Sequence, residues 1–447
     1  MLSWVGLRRE FRPMLQLAAP IVLGEIGWMA MGVVDTMMTG RLSKEAMGAA
    51  GVGSSIYHVV ALFGLGLLLG LDTLVSQSFG AGDMDDCNRS LIQAIYICLP
   101  LGPILMGVCW LVIPLLPLFA IHKAVLPLVR DYLHAVVWST LPLLFYAAFR
   151  RYLQSVNVVK PVAVALVSAN LVNVAANYAL IFGRFGAPAL GVAGAGWATT
   201  FSRLYMAAFL GVSVWLYDSG HGARLRRASL AADWRRIRQL LRLGLPAAMQ
   251  ITMEVAIFAL VATLIASLEP RFLAAHQVAL MAAATTYMVP LGIGSAAAVR
   301  VGQAIGRRRP ADASQAGAAA LLLGAAFMVL AGISFLVFPR WIGRAFTADE
   351  SVISTAVELL AIAALFEICD GLQAVATGAL RGAGDTRTPL VAHTVCYWAI
   401  GLPAGWYLCF RAGWGAAGLW VGLCLALILI GLVLLLVWRK TVRSLSA

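Results

Sequence analysis

Apolar residues in this chain do not recur at the spacing of a surface helix or a half-buried strand; they run on between short clusters of charge, glycine and proline. A helix that crosses the hydrocarbon core of a bilayer needs about 20 such residues, so each long run predicts one spanning helix. Runs stand near 14–38, 52–76, 90–118, 126–149, 161–182 and 190–216, and again near 240–266, 274–300, 314–338, 352–378, 389–410 and 415–438. The first has the basic flank of a signal peptide, but it is long and lacks a cleavage site, so it reads as the first helix. The pattern predicts an all-α membrane protein with twelve transmembrane helices.

Composition agrees: 61% of the 447 residues are apolar and 12% charged, outside the range of soluble globular domains. Twelve helices leave short connections and no room for a separate soluble domain. The net charge of +13 suggests a nucleic-acid partner only until the basic residues are placed. They concentrate in the connections on the side carrying both termini, which predicts cytoplasmic termini and no nucleic acid. Segment 217–242, with Arg224, Arg226, Arg227, Arg235, Arg236, Arg238 and Arg242, reads as an orientation anchor that touches anionic membrane lipids. The 7 cysteines are odd in number and all but Cys87 lie in apolar runs, so they imply no disulfide framework.

The chain repeats itself. Pro20 matches Pro246, and Gln77 and Gly80 match Gln303 and Gly306, all at one offset; Pro161 with Pro389, and Gly191 and Gly194 with Gly415 and Gly418, keep nearly the same one. Six spans per unit is an even number, so both units enter the membrane from the same side and are related by an axis along its normal. The expected organisation is two pseudo-twofold-related six-helix lobes around a central cleft: residues 1–216, a cytoplasmic linker over 217–239, and residues 240–447.

An ionised side chain inside a spanning helix costs about 2.5–3.5 kcal/mol on insertion scales, so each needs a partner, a proton or a task. The spans hold Glu25, Asp35, Asp72, Arg203, Glu254, Glu358, Glu367 and Asp370. Asn173 and Asn177 share one face of the fifth span at the depth of Asp35, and the three would hold a proton or an ion through a hydrogen-bonded network. Position alone leaves open that the asparagines only glue helices and Asp35 only caps one. In the second half, Glu254 lies mid-span and Glu367 and Asp370 stand one turn apart, poised for a proton or sodium. Glu367 also suits a purely structural hydrogen bond. The acids do not recur between the repeats, as a shared packing rule would require. Glu25, Asp72 and Glu367 are secondary candidates, while His58, His134, His276 and His393 lack metal-ligand spacing and read as core histidines.

At these residues the chain resembles the multidrug and toxic compound extrusion family, in its bacterial NorM-type branch. The likeness is carried by VDTMMTG (34–40), NVAANYALIFGRFGAPALGVAG (173–194), LGLPAAMQITMEVAIF (243–258), AAHQVAL (274–280), RVGQAIG (300–306) and DGLQAVATGALRGAGDTR (370–387). The resemblance implies a twelve-helix antiporter of the bacterial inner membrane, without cofactor, that exports bulky, often cationic drugs in exchange for Na+ or H+. It implies cation coupling at Asp35, Asn173, Asn177, Glu254 and Asp370, with sodium, if used, at Glu254 and Asp370. Phe366 departs from relatives that carry a tyrosine there, which removes a hydroxyl ligand for sodium. A single chain carries a complete pathway, so a monomer suffices. The alternative is a flippase for lipids or lipid-linked saccharides on the related fold, but seven intramembrane acids against one arginine favour a cationic passenger. Motifs for a membrane enzyme, metal-binding aspartates or a serine beside a histidine, do not stand at plausible positions.

Overall fold

The computed structural model describes residues 4–119, 122–220, 225 and 229–446, and every regular element among them is helical. In chain order these are α1 (Trp4–Gly40), α2 (Lys44–Leu67) continued by α3 (Gly70–Gly80), and α4 (Met84–Val112) with a 3-10 extension Ile113–Phe119. Next come α5 (Leu126–Val136) and α6 (Thr140–Ser155), joined by a 3-10 turn Val137–Ser139, then α7 (Lys160–Phe182) and α8 (Val192–Gly220). The second half has α9 (Trp234–Ala266), α10 (Pro270–Gly306), α11 (Pro310–Val337), the short α12 (Pro339–Phe346) and α13 (Glu350–Gly382). A segmented stretch follows, α14 (Arg387–Thr394), a π-helical turn Val395–Gly401, α15 (Leu402–Trp406) and a second π-helical turn Tyr407–Arg411, before α16 (Gly415–Ser446).

Ten stretches among the described residues are long and apolar enough to cross a membrane. The other two of the twelve expected are α8, whose hydropathy Arg203 lowers, and the segmented stretch from Arg387 to Arg411. Several helices outrun their apolar cores: α1 starts at Trp4, α9 at Trp234, and α6 continues to Ser155. Hydrogen bonding propagates a helix past the end of its apolar run, so hydropathy marks where the bilayer lies and not where the helix stops.

The described residues form two compact units, one over 23–248, the other made of those up to Val22 together with those from Met249 onward. The division therefore falls inside α1 and inside α9, close to the helix-interior prolines Pro20 and Pro246.

The repeat is written in the backbone as well as in the sequence. Ala81 N–H donates to Gln77 O and Gly82 takes φ 79°; Arg307 N–H donates to Gln303 O and Arg308 takes φ 57°. The turn that ends α6 returns at the end of α13: Val158 N–H donates to Leu153 O with Asn157 at φ 63°, and Asp385 N–H donates to Leu380 O with Gly384 at φ 89°. Turns of this left-handed kind cost a residue with a Cβ about 1–2 kcal/mol, so Asn157 and Arg308 are retained for the chain reversal they make.

Within each unit, small residues let helices touch backbone to backbone. A Cβ on Gly294 would lie 2.7 Å from Ala374 O, while one on Gly378 or Gly382 would fall on the carbonyls of Gly294 and Ala298. These positions repeat every four residues on the facing sides of α10 and α13, the small-xxx-small arrangement by which helices associate where no hydrophobic force separates them from lipid. In the other unit, Gly66 and Gly70 meet Ala248 and Leu240 of α9 in the same way.

Of the basic linker, Arg224, Arg226 and Arg227 lie outside the described residues. Its later part is fastened to α4: Gln93 donates to Ala231 O at 3.0 Å and accepts from Asp233 N at 3.1 Å, Tyr96 donates to Leu230 O, and Arg236 pairs with Asp86.

Candidate functional site

Two polar clusters are built, one in each unit. In the unit 23–248, Gly24 and Gly27 let α1 lie against Leu166 and Asn170 of α7, and Asn170 donates to Gly27 O at 3.0 Å. This contact brings Asp35, 8% exposed, against the asparagine face of α7. Asn177 Nδ2 donates to Asp35 Oδ1 at 2.6 Å and to Asn173 Oδ1 at 3.0 Å, and Thr199 of α8 donates to Asp35 Oδ2 at 2.8 Å. Asn173 Nδ2 and Asn177 Oδ1 are buried without a hydrogen-bond partner. Unmatched buried polar atoms are uncommon, and here they leave one donor and one acceptor beside a carboxylate. The structure thus joins Asp35, Asn173 and Asn177 directly and adds Thr199, a residue type too common in helices to stand out in sequence.

Arg203, whose partner the sequence does not name, is held by ring faces. Its guanidinium lies 4.8 Å from the Tyr57 ring centroid and 5.4 Å from that of Trp28, and Nη1 donates to Ser139 Oγ at 2.7 Å. Trp28 in turn stacks on Tyr146, with centroids 6.3 Å apart. Two π faces and one hydroxyl keep a buried cation solvated without an acid, and Asp35 remains within reach of its field.

Glu25 and Asp72, the secondary candidates of this half, are each paired with an arginine. Arg150 of α6 binds Glu25, with side chains only 8% and 12% exposed, and Arg151 lies 3.4 Å from Asp72 Oδ2. The reason is the length of α6. Both arginines follow the fourth apolar run and read as loop residues, yet the helix carries them alongside α1 and α3. The excess of intramembrane acid over arginine shrinks accordingly.

In the other unit the cluster is assembled from α9, α13 and α14. Asp370 Oδ1 accepts from Gln373 Nε2 at 3.0 Å, one turn on along α13. The opposite atom of that amide, Gln373 Oε1, lies 2.7 Å from His393 Nε2, and His393 Nδ1 lies 2.7 Å from Pro389 O. Glu254 Oε2 stands 3.9 Å from His393 Nε2, and Gln250 Nε2 3.4 Å from the same nitrogen. Glu254 and Asp370 are close enough for their charges to interact. Tyr397, in the π-helical turn that follows α14, packs against both His393 and Phe258, with ring centroids 6.0 and 6.1 Å apart. Wider turns of this kind are frequent at functional sites.

Glu367, one turn before Asp370, is fully buried and accepts from Thr286 at 3.2 Å, its other oxygen unpartnered. Its neighbour Phe366 stacks on Trp420, which donates to His276 Nδ1 at 3.1 Å. His276 is a core histidine with its Nε2 buried and unpartnered; His393, buried with both ring nitrogens hydrogen-bonded, is the core histidine expected of it, in polar company that the sequence did not show. It stands between two carboxylates and two amides, and the only sequence signal was its place one turn beyond Pro389. Among the described residues no group of three or more histidines, cysteines or acids is arranged to hold a metal ion.

The MatE family model matches residues 20–179 and 246–407, so it falls once on each repeat. Over 98% of its length the chain is 36% identical to a protein of Bradyrhizobium diazoefficiens named probable multidrug resistance protein NorM, of which 95% is covered. It is 34% identical to multidrug resistance protein PmpM of Pseudomonas aeruginosa, across 94% of this chain and 89% of that one. Its fold superposes on the crystal structure of the eukaryotic MATE transporter AtDTX14 with a TM-score of 0.84 at 21% identity, covering 98% of this chain and 99% of that chain. Twelve helices in a doubled six-helix plan, a separate acid cluster in each unit and end-to-end likeness to NorM proteins meet in one conclusion: the chain belongs to the multidrug and toxic compound extrusion (MatE) family, in its NorM-type branch.

Proposed function

We propose that this protein is a secondary antiporter of the bacterial inner membrane, with both termini cytoplasmic, that exports bulky, mostly cationic compounds by alternating access in exchange for protons. Its lobes are taken as residues 1–216 and 240–447, and one chain suffices. Asp35 with Asn173 and Asn177 forms one coupling site, and Glu254 with Asp370 the other. An ionised cluster attracts an organic cation; a protonated one releases it, so passenger and proton compete for the same charge. Each charge that crosses 100 mV supplies about 2.3 kcal/mol.

One observation carries the choice of proton, the chain Asp370–Gln373–His393–Pro389. A carbonyl only accepts, so His393 Nδ1 carries a hydrogen. Two arrangements then satisfy the contacts from Asp370 through Gln373 to His393. Either Gln373 offers its NH2 to an ionised Asp370 and its oxygen to a doubly protonated His393, or the amide is turned over, accepting from protonated Asp370 and donating to a bare Nε2. A proton thus moves between acid and imidazole while no hydrogen bond of the Asp370–Gln373–His393–Pro389 chain is lost. Sodium needs several oxygen ligands, whereas an amide nitrogen and an imidazole are what converge on these carboxylates. The flippase reading needs a basic cleft, and Arg150, Arg151 and Arg203 are committed to acids or aromatic rings.

The test is a set of proteoliposomes driven separately by a pH gradient and a sodium gradient. The expected result is drug movement with the pH gradient alone, and its loss in Asp370→Asn and Glu254→Gln proteins that remain folded. Full transport by both variants would overturn the site; transport on sodium alone would overturn the coupling ion.

A further inference from the structure

A cavity of about 670 Å³ opens in the unit 23–248 away from the residues assigned above, within the roughly 300–1,000 Å³ usual for small-molecule sites. Its walls include Trp110 from the last turn of α4, Trp138 from the turn between α5 and α6, and Trp197 from the start of α8. Asp131 of α5 supplies a carboxylate at its edge, with His134 one turn on.

Tryptophans at the ends of spanning helices usually form a belt, each facing lipid on its own. These three come from two helices and a turn and meet at one cavity. The rings of Trp110 and Trp138 stand at 73° with centroids 5.6 Å apart, so they form two walls at nearly a right angle. Both remain open to a visitor, at 44% and 49% exposure. Two small residues, Ala135 and Ala193, complete this part of the lining. The Ala135 wall is rigid, because Thr200 donates to Ala135 O at 3.0 Å and a Cβ on Gly196 would lie 2.7 Å from Ala135 Cβ. Asp131 is exposed, and its carboxylate has no ion-pair partner among the described residues.

We propose that this cavity is a second binding site for organic cations, distinct from the coupling carboxylates, in which a lipophilic phosphonium or quaternary ammonium ion sits against the indole faces of Trp110, Trp138 and Trp197 with its charge toward Asp131. Tryptophan is the strongest aromatic partner for a cation, and a nearby carboxylate adds attraction that a neutral ligand does not feel. The occupant is a free cation and not a lipid headgroup, since the cavity's volume and its three ring faces match an ion that carries its own apolar bulk. With the termini cytoplasmic, as proposed above, this end of the unit faces outward. The cavity also adjoins the first turns of α8, which carry Thr199 to Asp35.

Equilibrium binding of radiolabelled tetraphenylphosphonium to the full chain in phosphatidylglycerol nanodiscs tests this. An Asp35→Asn/Glu254→Gln/Asp370→Asn protein, with the carboxylates of both coupling sites neutralised, should retain one class of site. In that background Trp138→Leu, which keeps apolar bulk but removes the ring, should weaken binding by about 2- to 30-fold, and Asp131→Asn should weaken it as well. Trp138→Phe should retain most of the affinity, which separates loss of a π face from loss of structure. Tetraphenylborate, equal in shape and opposite in charge, should not bind there. Binding unchanged by Trp138→Leu and Asp131→Asn, equal binding of the anion, or displacement of the phosphonium when phosphatidylethanolamine replaces phosphatidylglycerol would each overturn the assignment. Because the readout is binding, failure of the transport reading would show as loss of coupled export while this site stayed filled.

Discussion

The Arg150–Glu25 pair offers a test in which the two single changes should behave unequally. Its side chains are 8% and 12% exposed, and among the described residues the guanidinium has, apart from Glu25, only the Tyr146 hydroxyl, 3.5 Å away, as a hydrogen-bond partner, with Nε unmatched. Glu25→Gln keeps the shape and removes the charge, leaving an arginine that cannot shed its own. Breaking a buried pair in this way costs about 3–5 kcal/mol; the slight exposure points to the lower end, about 3 kcal/mol. Arg150→Met should cost less, because an abandoned carboxylate can take up a proton. The double variant Glu25→Gln/Arg150→Met should fall within about 1 kcal/mol of the parent, since it buries no unpaired charge. Unfolding midpoints in mixed detergent and SDS micelles give the cycle, and drug export by the double variant gives the function. A Glu25→Gln protein as stable as the parent would refute the pairing, and a stable double variant unable to export would return Glu25 to the coupling machinery.

Three further outcomes follow from the same geometry. Thr199→Val removes one of the donors to Asp35 and should cost about 1.5–3 kcal/mol of stabilisation of its charged form; the pH profile of export should move, whereas a purely structural role would lower its amplitude without moving it. Gln373→Leu breaks the link between Asp370 and His393 and should leave phosphonium binding intact while slowing proton-driven export at least tenfold; export at the parental rate would discard the relay. Gly378→Ala places a methyl on the Gly294 carbonyl and should destabilise by about 1–3 kcal/mol or more, while Gly48→Ala, with open space around it, should be neutral or slightly stabilising by the same unfolding measurement.

Much of this protein was legible in its sequence, because a bilayer imposes a length and a composition on every segment that crosses it. The apolar runs gave the spans, the paired landmarks gave the doubled plan, and insertion cost alone drew attention to Asp35, Glu254 and Asp370. What hydropathy could not read was the identity of each charge's neighbour. Arg150 and Arg151 stand just past an apolar run, and only the continuation of α6 turns them from loop residues into partners of Glu25 and Asp72. Arg203 found ring faces instead of an acid, and His393, unremarkable in the eleventh span, became the centre of a cluster drawn from three helices. Burial is a property of a segment, which local sequence encodes; partnership depends on which helices touch and at what register. That was decided by close approaches at residues such as Gly24, Gly27 and Gly378, in the tertiary structure alone.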